Sequence, residues 1–293
     1  MKKANVNLGN ATLSVDLMGA QLNSWKIGDL EYIWQRDPAY WPGSAPVLFP
    51  IVGELKGEGK TTIINGKPYH MSIHGFARDM EFSLVKAEGD TIAMKLEANE
   101  ETLKAYPFKF SLVTEFKLME NGFSHSFTVK NEGDEDMPFV IGAHPGFNLP
   151  LFEGDSFEDY TVEFEKEEKN EAYRIDEEGL VDDSKFDSVL KDGRFIPLNH
   201  GLFDTGALIY QKMNSHSVKL YNKDGKGIKM DYPDFDYFGI WQMPQKQTPY
   251  LCLEPWTGMN DCYSEDGVYT HKRGIQFLKS GEEKRFSFTV TLL

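Results

Sequence analysis

The sequence predicts an all-β chain built as a large sandwich of antiparallel sheets. Three observations carry that expectation. Apolar and polar residues alternate at period two through most of the chain, turn dipeptides separate the alternating runs, and helical periodicity is scarce. Successive side chains of a strand point to opposite faces, so each such run describes a strand with one buried face.

The elements follow in chain order. Ala11, Leu13, Val15 and Leu17 share one face of a first strand. Asn65-Gly66 stands between Thr61–Ile64 and Lys67–His70 and supplies the positive φ of a tight hairpin turn. Ile92, Met94 and Leu96 alternate with Ala93, Lys95 and Glu97. Asn99 can cap a short helix over Glu100–Tyr106, which Pro107 ends. Phe110, Leu112, Phe116 and Leu118 then alternate with Ser111, Glu115 and Lys117. Beyond the Asn121-Gly122 turn, Phe127 and Val129 alternate with Ser126, Thr128 and Lys130, and His125 on their face reads as a core histidine. Glu132-Gly133-Asp134, Asp192-Gly193 and Asp224-Gly225 mark further turns. Phe286, Phe288, Val290 and Leu292 form the last strand.

Nothing in this pattern splits the chain. The stretch from Glu165 to Asp192 is acidic with scattered apolar residues and reads as a long surface excursion, because strand patterning resumes at Gly206–Gln211. Residues 1–293 are therefore expected to form a single domain, large enough to need no disulfide or metal staple. Only Cys252 and Cys262 are present, and two cysteines make no disulfide framework.

Composition narrows the function classes. The net charge is −15, from 46 acidic against 31 basic residues, with no basic stripe, so a nucleic-acid partner is not expected. MKKANVNLGN carries two lysines with no apolar run behind them, and no stretch approaches the ~20 apolar residues of a membrane span. A cytoplasmic location without membrane partners is the expectation. Phosphate loops, dinucleotide-binding glycine fingerprints and nucleophile elbows are missing from the sequence.

Three segments depart from the pattern of a core strand. Ser72-Ile73-His74-Gly75-Phe76-Ala77-Arg78-Asp79 places an imidazole beside a glycine and follows it with a cation, which suits close approach of backbone to a polar ligand. A histidine hydrogen-bonded at a strand end is the alternative. In Ile141-Gly142-Ala143-His144-Pro145-Gly146-Phe147 the proline keeps His144 out of the helical region, and Gly146 permits a bend that projects the imidazole into a cleft. A structural turn histidine is the competing reading. Tyr250-Leu251-Cys252-Leu253-Glu254-Pro255-Trp256 sets a carboxylate in an apolar run, a costly placement unless the group is paired or used. Burial would raise the Glu254 pKa towards the range of a useful base, although a glutamate capping a loop would look the same. His70 and His74 share a strand face and, with His144 and Glu254, define a three-histidine, one-glutamate metal set, but no compact ligand cluster supports it. His200, His216 and His271 lie in polar loops and receive no role. Trp34, Trp41, Phe147, Trp241 and Trp256 are aromatics that can line a sugar cleft.

Taken together, these segments resemble the aldose 1-epimerase (galactose mutarotase-like) family, in particular its LacX-like branch. The resemblance runs through Tyr40-Trp41, Ala45-Pro46-Val47-Leu48-Phe49-Pro50, His74-Gly75-Phe76-Ala77-Arg78-Asp79, Gly142-Ala143-His144-Pro145-Gly146-Phe147, Phe238-Gly239-Ile240-Trp241 and Leu251-Cys252-Leu253-Glu254-Pro255-Trp256. It implies a β-supersandwich of antiparallel sheets with few short helices, and a site needing neither cofactor nor metal. The implied partner is a small-molecule hexose or hexose phosphate, and the implied assembly a monomer or weak homodimer. By the family pattern His144 is the general acid at the ring oxygen and Glu254 the base at the C1 hydroxyl. His74 helps hold the ring oxygen, and Arg78 holds sugar hydroxyls or a phosphate. Phe147, Trp241 and Trp256 are expected at the sugar.

The chemistry also follows from the residue types. Anomer exchange of an aldose needs one proton removed from O1 and one delivered to O5, which a carboxylate and an imidazole on opposite sides of the C1–O5 bond can do. Two departures from the family pattern stand out. Ser44 and Glu54 occupy the APVLFPIVGEL region where basic residues are expected, and Gly206 takes the slot of an expected aspartate, leaving Asp204 as the candidate for the sugar hydroxyls. Arg36, Lys56 and Arg273 are the cations that would have to reach the pocket for phosphate recognition. A non-catalytic sugar sensor and a metal-dependent sugar isomerase of cupin-like type are the rival readings.

Overall fold

A computed structural model of the protein describes residues 2–293. Its strand ladders are antiparallel, and two sheets dominate. The larger has nine strands, in the order Phe195–Pro197, Tyr160–Phe164, Ser217–Asn222, Gly227–Asp231, Glu283–Leu292, Gly122–Asn131, Phe110–Met119, Thr91–Glu97 and Ser83–Glu88. The smaller runs Leu208–Gln211, Tyr237–Trp241, Tyr250–Trp256, Gly142–Ala143 and Val47–Leu48, with Gly146–Asn148 also paired to Tyr250–Trp256. A four-stranded sheet from Lys3 to Glu31, the Thr61–Ile64/Lys67–His70 hairpin and a short long-range pair of Met137–Phe139 with Gln276–Leu278 complete the fold.

The alternating runs form the strands expected of them. Leu112, Phe116, Phe127, Val129, Phe286, Phe288 and Val290 are buried on the inner face of the large sheet. There they join Val15, Leu22 and Trp25 of the four-stranded sheet and Leu251, Leu253, Phe238 and Ile240 of the six-stranded sheet in one cluster. Asn65-Gly66 makes the expected hairpin, with Asn65 at φ 50° and Gly66 at φ 74°. The short helix covers only Thr102–Ala105, and the Asn99 side chain accepts from the amides of Glu101 and Thr102 at 2.9 and 3.1 Å. Both cysteines are buried free thiols in separate clusters.

The acidic excursion from 165 to 192 corrects the expectation of a purely superficial loop. Ala172, Tyr173, Val181 and Leu190 are buried, and Tyr173 exchanges backbone hydrogen bonds with Ile209 at 2.8 and 3.0 Å. The segment thereby extends the edge of the six-stranded sheet. Its few apolar residues are spaced too irregularly to announce this, because their partners lie on strands far along the chain.

In the six-stranded sheet the period-two rule separates core from cleft. Leu251 and Leu253 enter the central cluster, whereas Tyr250, Cys252, Glu254 and Trp256 alternate onto the opposite face. The same alternation sends Phe238 and Ile240 inward and turns Gly239 and Trp241 the other way. That second face is the floor of a cleft.

Candidate active site

The cleft has a volume of about 320 Å³ and is lined by thirteen residues, of which His74, Arg78, His144, Glu254 and Asn260 are polar. Trp41, Trp241 and Trp256 contribute rings, and Ile73, Ile175, Ala207, Ile209 and Met243 form its aliphatic parts.

Glu254 stands opposite Gly239 on the neighbouring strand. A Cβ at Gly239 would lie 2.4 Å from the Trp256 ring, and one at Gly142 on the other side would lie 2.5 Å from it. Two glycines therefore leave the indole room to lie across the sheet beside the carboxylate. His144 follows the short Gly142–Ala143 strand, and its Nε2 lies 3.2 Å from Glu254 Oε2. The Trp41 ring packs at 4.9 Å from the imidazole and Trp241 at 5.4 Å, edge-on. Among the described residues, Glu254 Oε2 and His144 Nδ1 are buried without a well-aligned hydrogen bond.

Burial decides the protonation of this pair. Desolvation pushes Glu254 well above the usual carboxylate range. Desolvation, reinforced by the Arg78 charge, brings His144 down to about 3. Both shifts favour the uncharged forms, a carboxylic acid beside a neutral imidazole.

His74 adopts φ 68°, in the left-handed region where few residues other than glycine sit. Gly75 follows at φ 75°, and a Cβ there would meet the Phe49 carbonyl oxygen at 2.2 Å, so this turn requires glycine. The Gly53 amide donates to His74 Nδ1 at 3.0 Å, which leaves Nε2 carrying the proton. Burial, with the charges of nearby groups, holds the His74 pKa well below the ordinary histidine value, so the ring is a neutral donor. Arg78 lies in the short Ala77–Asp79 turn on the same wall, and the ion pairs of the described residues leave it out.

The structure brings together His74, Arg78, His144, Trp241, Glu254 and Trp256, and it leaves two expected residues outside. Phe147 is opposite Leu251 on the core face and belongs to the central cluster, because it is one residue out of phase with Gly146, which faces Cys252. Asp204 is exposed at the end of the His200–Phe203 turn and borders separate surface pockets. The strand behind it shows the cleft only Ala207 and Ile209, so no carboxylate enters from that wall. His144 and Glu254 stand side by side on the floor of the cleft.

The three-histidine metal set does not assemble. His70 is exposed, with Nδ1 2.7 Å from the Gly59 carbonyl oxygen. Instead the donor atoms of His144, Cys252 and Glu254 lie within 4.8 Å of one another and would be the residues to hold a metal. Burial beside Glu254 pushes the Cys252 thiol well above its ordinary value, which favours the protonated, poorly ligating form. Glu54 packs against Gly179 rather than lining the cleft, and Arg36, Lys56 and Arg273 are engaged elsewhere, by Asp16, by the Tyr263 and Glu265 carbonyls, and by Asp183.

Sequence reasoning missed Asn260 and the buried Lys272–Asp261 pair behind His74. Asn260 Nδ2 donates to the Gly179 carbonyl at 2.7 Å, and its packing against Gly53 ties it to the His74 loop. The nearest sequence signal is a short polar pair, Asn260-Asp261, inside a buried stretch.

Comparison with known proteins places the fold. Residues 5–291 match the sequence model of the family described as aldose 1-epimerase. The chromosomal protein LacX of Lactococcus lactis subsp. lactis is 33% identical over 297 residues, covering 98% of this chain and 99% of its own length. A galactose mutarotase related enzyme from Lactobacillus acidophilus superposes with a TM-score of 0.88 at 33% identity, over 100% of this chain and 97% of that one. A galactose mutarotase-like protein from Lactobacillus casei gives 0.92 at 29% identity, with both chains covered in full at 100%. The supersandwich is thus a shared fold, and the chain belongs to the aldose 1-epimerase family.

Proposed function

We propose that the protein interconverts the α and β anomers of a hexose, with His144 and Glu254 as the acid–base pair. The observation that carries this reading is the 3.2 Å approach of His144 Nε2 to Glu254 Oε2 on the floor of a sugar-sized cleft. O1 and O5 are bonded to the same carbon, so two adjacent groups can address both from one side.

The bound sugar supplies hydroxyls to the Glu254 carboxyl, whose buried Oε2 has no aligned partner, and these lower its pKa. The carboxyl proton then passes to His144. Glu254 takes the O1 proton as the C1–O5 bond breaks, and His144 delivers its proton to O5, giving the open-chain aldehyde. Rotation about C1–C2 presents the other carbonyl face. O5 adds back, returning its proton to His144, and O1 recovers its own from Glu254. His74 Nε2–H donates to the ring oxygen side, Arg78 and Asn260 to hydroxyls, and Trp256 offers its ring to the sugar's C–H face.

One guanidinium and no second unpaired cation lining the cleft favour a neutral sugar over a dianionic phosphate. Anomer exchange followed by NMR over a panel of aldoses and their 6-phosphates, with and without chelator, tests the proposal. Expected is chelator-insensitive exchange, faster for free glucose or galactose than for the 6-phosphates. Exchange no faster than in buffer would overturn it and leave the sugar-sensor reading. A tenfold preference for a phosphate ester would move the substrate to the hexose 6-phosphates.

A further inference from the structure

A second chemistry is built in where His144 and Glu254 meet, because Cys252 joins them. Cys252 and Glu254 share a face of the Tyr250–Trp256 strand, which sets the thiol beside the carboxyl. Gly146 stands opposite Cys252, and a Cβ there would lie 3.3 Å from Sγ, so the glycine leaves the thiol its space. The donor atoms of His144, Cys252 and Glu254 lie within 4.8 Å of one another, and His144 Nε2 is 3.2 Å from Glu254 Oε2. Tetrahedral zinc, with bonds of about 2.0–2.3 Å, holds a nitrogen and an oxygen ligand about 3.3 Å apart and a sulfur about 3.6 Å from either.

The charges close as well. A dication bound by one thiolate, one carboxylate and a neutral imidazole leaves no net charge among the rings of Trp41, Trp241 and Tyr250. Burial disfavours either anion alone, and a bound dication offsets that cost for both. The Cys252 and Glu254 protons leave to solvent as the ion binds, since a coordinating thiol is deprotonated outright. His144 and Glu254 line the cleft, so the fourth position of such an ion opens into it. The buried Glu254 Oε2 and His144 Nδ1 lack aligned partners. The first is thereby free to ligate. The second deprives the imidazole of the outer partner that usually fixes a resident metal's histidine, so the site suits an exchangeable ion.

We propose that His144, Cys252 and Glu254 form a reversible inhibitory site for zinc and similar thiophilic divalent ions. The ion takes the imidazole lone pair and the carboxylate that anomer exchange uses, so metal and sugar exclude each other. The metal site stands on its own geometry, and only its inhibitory effect rests on the epimerase reading.

The test titrates the parent protein, Cys252→Ser and Cys252→Ala with Co²⁺ and Zn²⁺, and follows glucose and galactose anomer exchange in parallel. The parent should show a sulfur-to-cobalt charge-transfer band that zinc abolishes, and both variants should lack it. Zinc affinity should fall about 100-fold or more in the variants, since losing even an outer partner of a ligand costs about 10–100-fold. Zinc should slow exchange by the parent, with the effect reversed by chelator and opposed by higher sugar concentration. Mg²⁺ and Ca²⁺, which take oxygen ligands, should leave the rate unchanged. Metal-free variants should keep the parent rate, and the near-isosteric serine keeps the test valid if alanine lowers the melting temperature. A missing charge-transfer band, or equal zinc affinity in all three proteins, overturns the site. Undiminished exchange with zinc bound at Cys252 refutes the inhibition. If no sugar is epimerised yet the cobalt band depends on Cys252, the metal site stands and the epimerase reading falls.

Discussion

His125 and His144 are both buried histidines on strands or strand ends, and burial lowers the pKa of each, yet their surroundings differ throughout. His125 belongs to the nine-stranded sheet. Its ring stacks on Phe116 at 3.7 Å, and its Nε2 lies 2.6 Å from the Thr114 hydroxyl. Nothing there is left to react. His144 belongs to the six-stranded sheet, where its Nε2 faces a carboxyl oxygen that has no aligned partner and the space in front is open. Burial alone therefore does not make a site. A buried polar pair left unsatisfied beside a cavity is a reservoir of interaction free energy that a substrate can draw on.

The largest expected effect separates the two histidines by activity. Glu254→Gln and His144→Asn should each slow anomer exchange by ~10²–10⁴, the range for general acid–base groups. The double variant should be little worse than the poorer single one, because the residues act as a unit. His125→Leu should leave kcat near the parent value while lowering stability by about 1–3 kcal/mol, since the Thr114 hydroxyl loses its buried partner. Comparable kcat losses at His125 and His144 would erase the distinction drawn here.

Next in size is Arg78→Ala, which removes a charged donor from the cleft wall. A loss of about 1.5–3 kcal/mol for such a hydrogen bond corresponds to a roughly 10–100-fold rise in KM with little change in kcat. Steady-state kinetics on glucose would show whether the effect falls on kcat instead, which would place Arg78 in the proton-transfer step.

The pH profile sharpens the comparison further. The working pair holds one proton, so activity should fall when the pair gains a second or loses the first. With His144 lowered to about 3 and Glu254 raised, the acid limb should lie well below the ordinary histidine range and the alkaline limb above the ordinary carboxylate range. An acid limb centred near the unperturbed histidine value of about 6.5 would show that the cleft does not desolvate the imidazole in this way.

The smallest effect concerns stability. Glu254 has a raised pKa when folded, so the native state keeps a proton that the unfolded chain releases, and stability is lost as pH rises from the unfolded to the folded value. Glu254→Gln removes this linkage. It should raise the melting temperature, and more at about pH 8 than at about pH 5, as measured by thermal unfolding. An equal shift at both pH values would mean that the carboxyl ionises freely in the folded protein.

The strands were legible because a strand's burial pattern is local. A period of two along Phe110–Met119 or Glu283–Leu292 is enough to name the buried face without knowing the neighbour. His144 and Glu254 were legible for a related reason: each breaks its own strand's pattern, one beside a proline and the other as a charge among apolar residues. Phe147 shows the limit of such reading. It adjoins a site motif in sequence, but one step along a strand turns a side chain to the opposite face. Asp204 shows a second limit, since being two residues from the expected slot was enough to leave it outside the cleft. Ile175 and Lys272 carried no local signal, and Asn260-Asp261 offered only a short polar pair. Their place was decided by which strands became neighbours. Strand order is a property of long-range pairing, and the sequence of any one strand does not contain it. The sequence by itself determined the strands and singled out His144 and Glu254, while the tertiary structure decided the strand order, the shape of the cleft and its apolar wall.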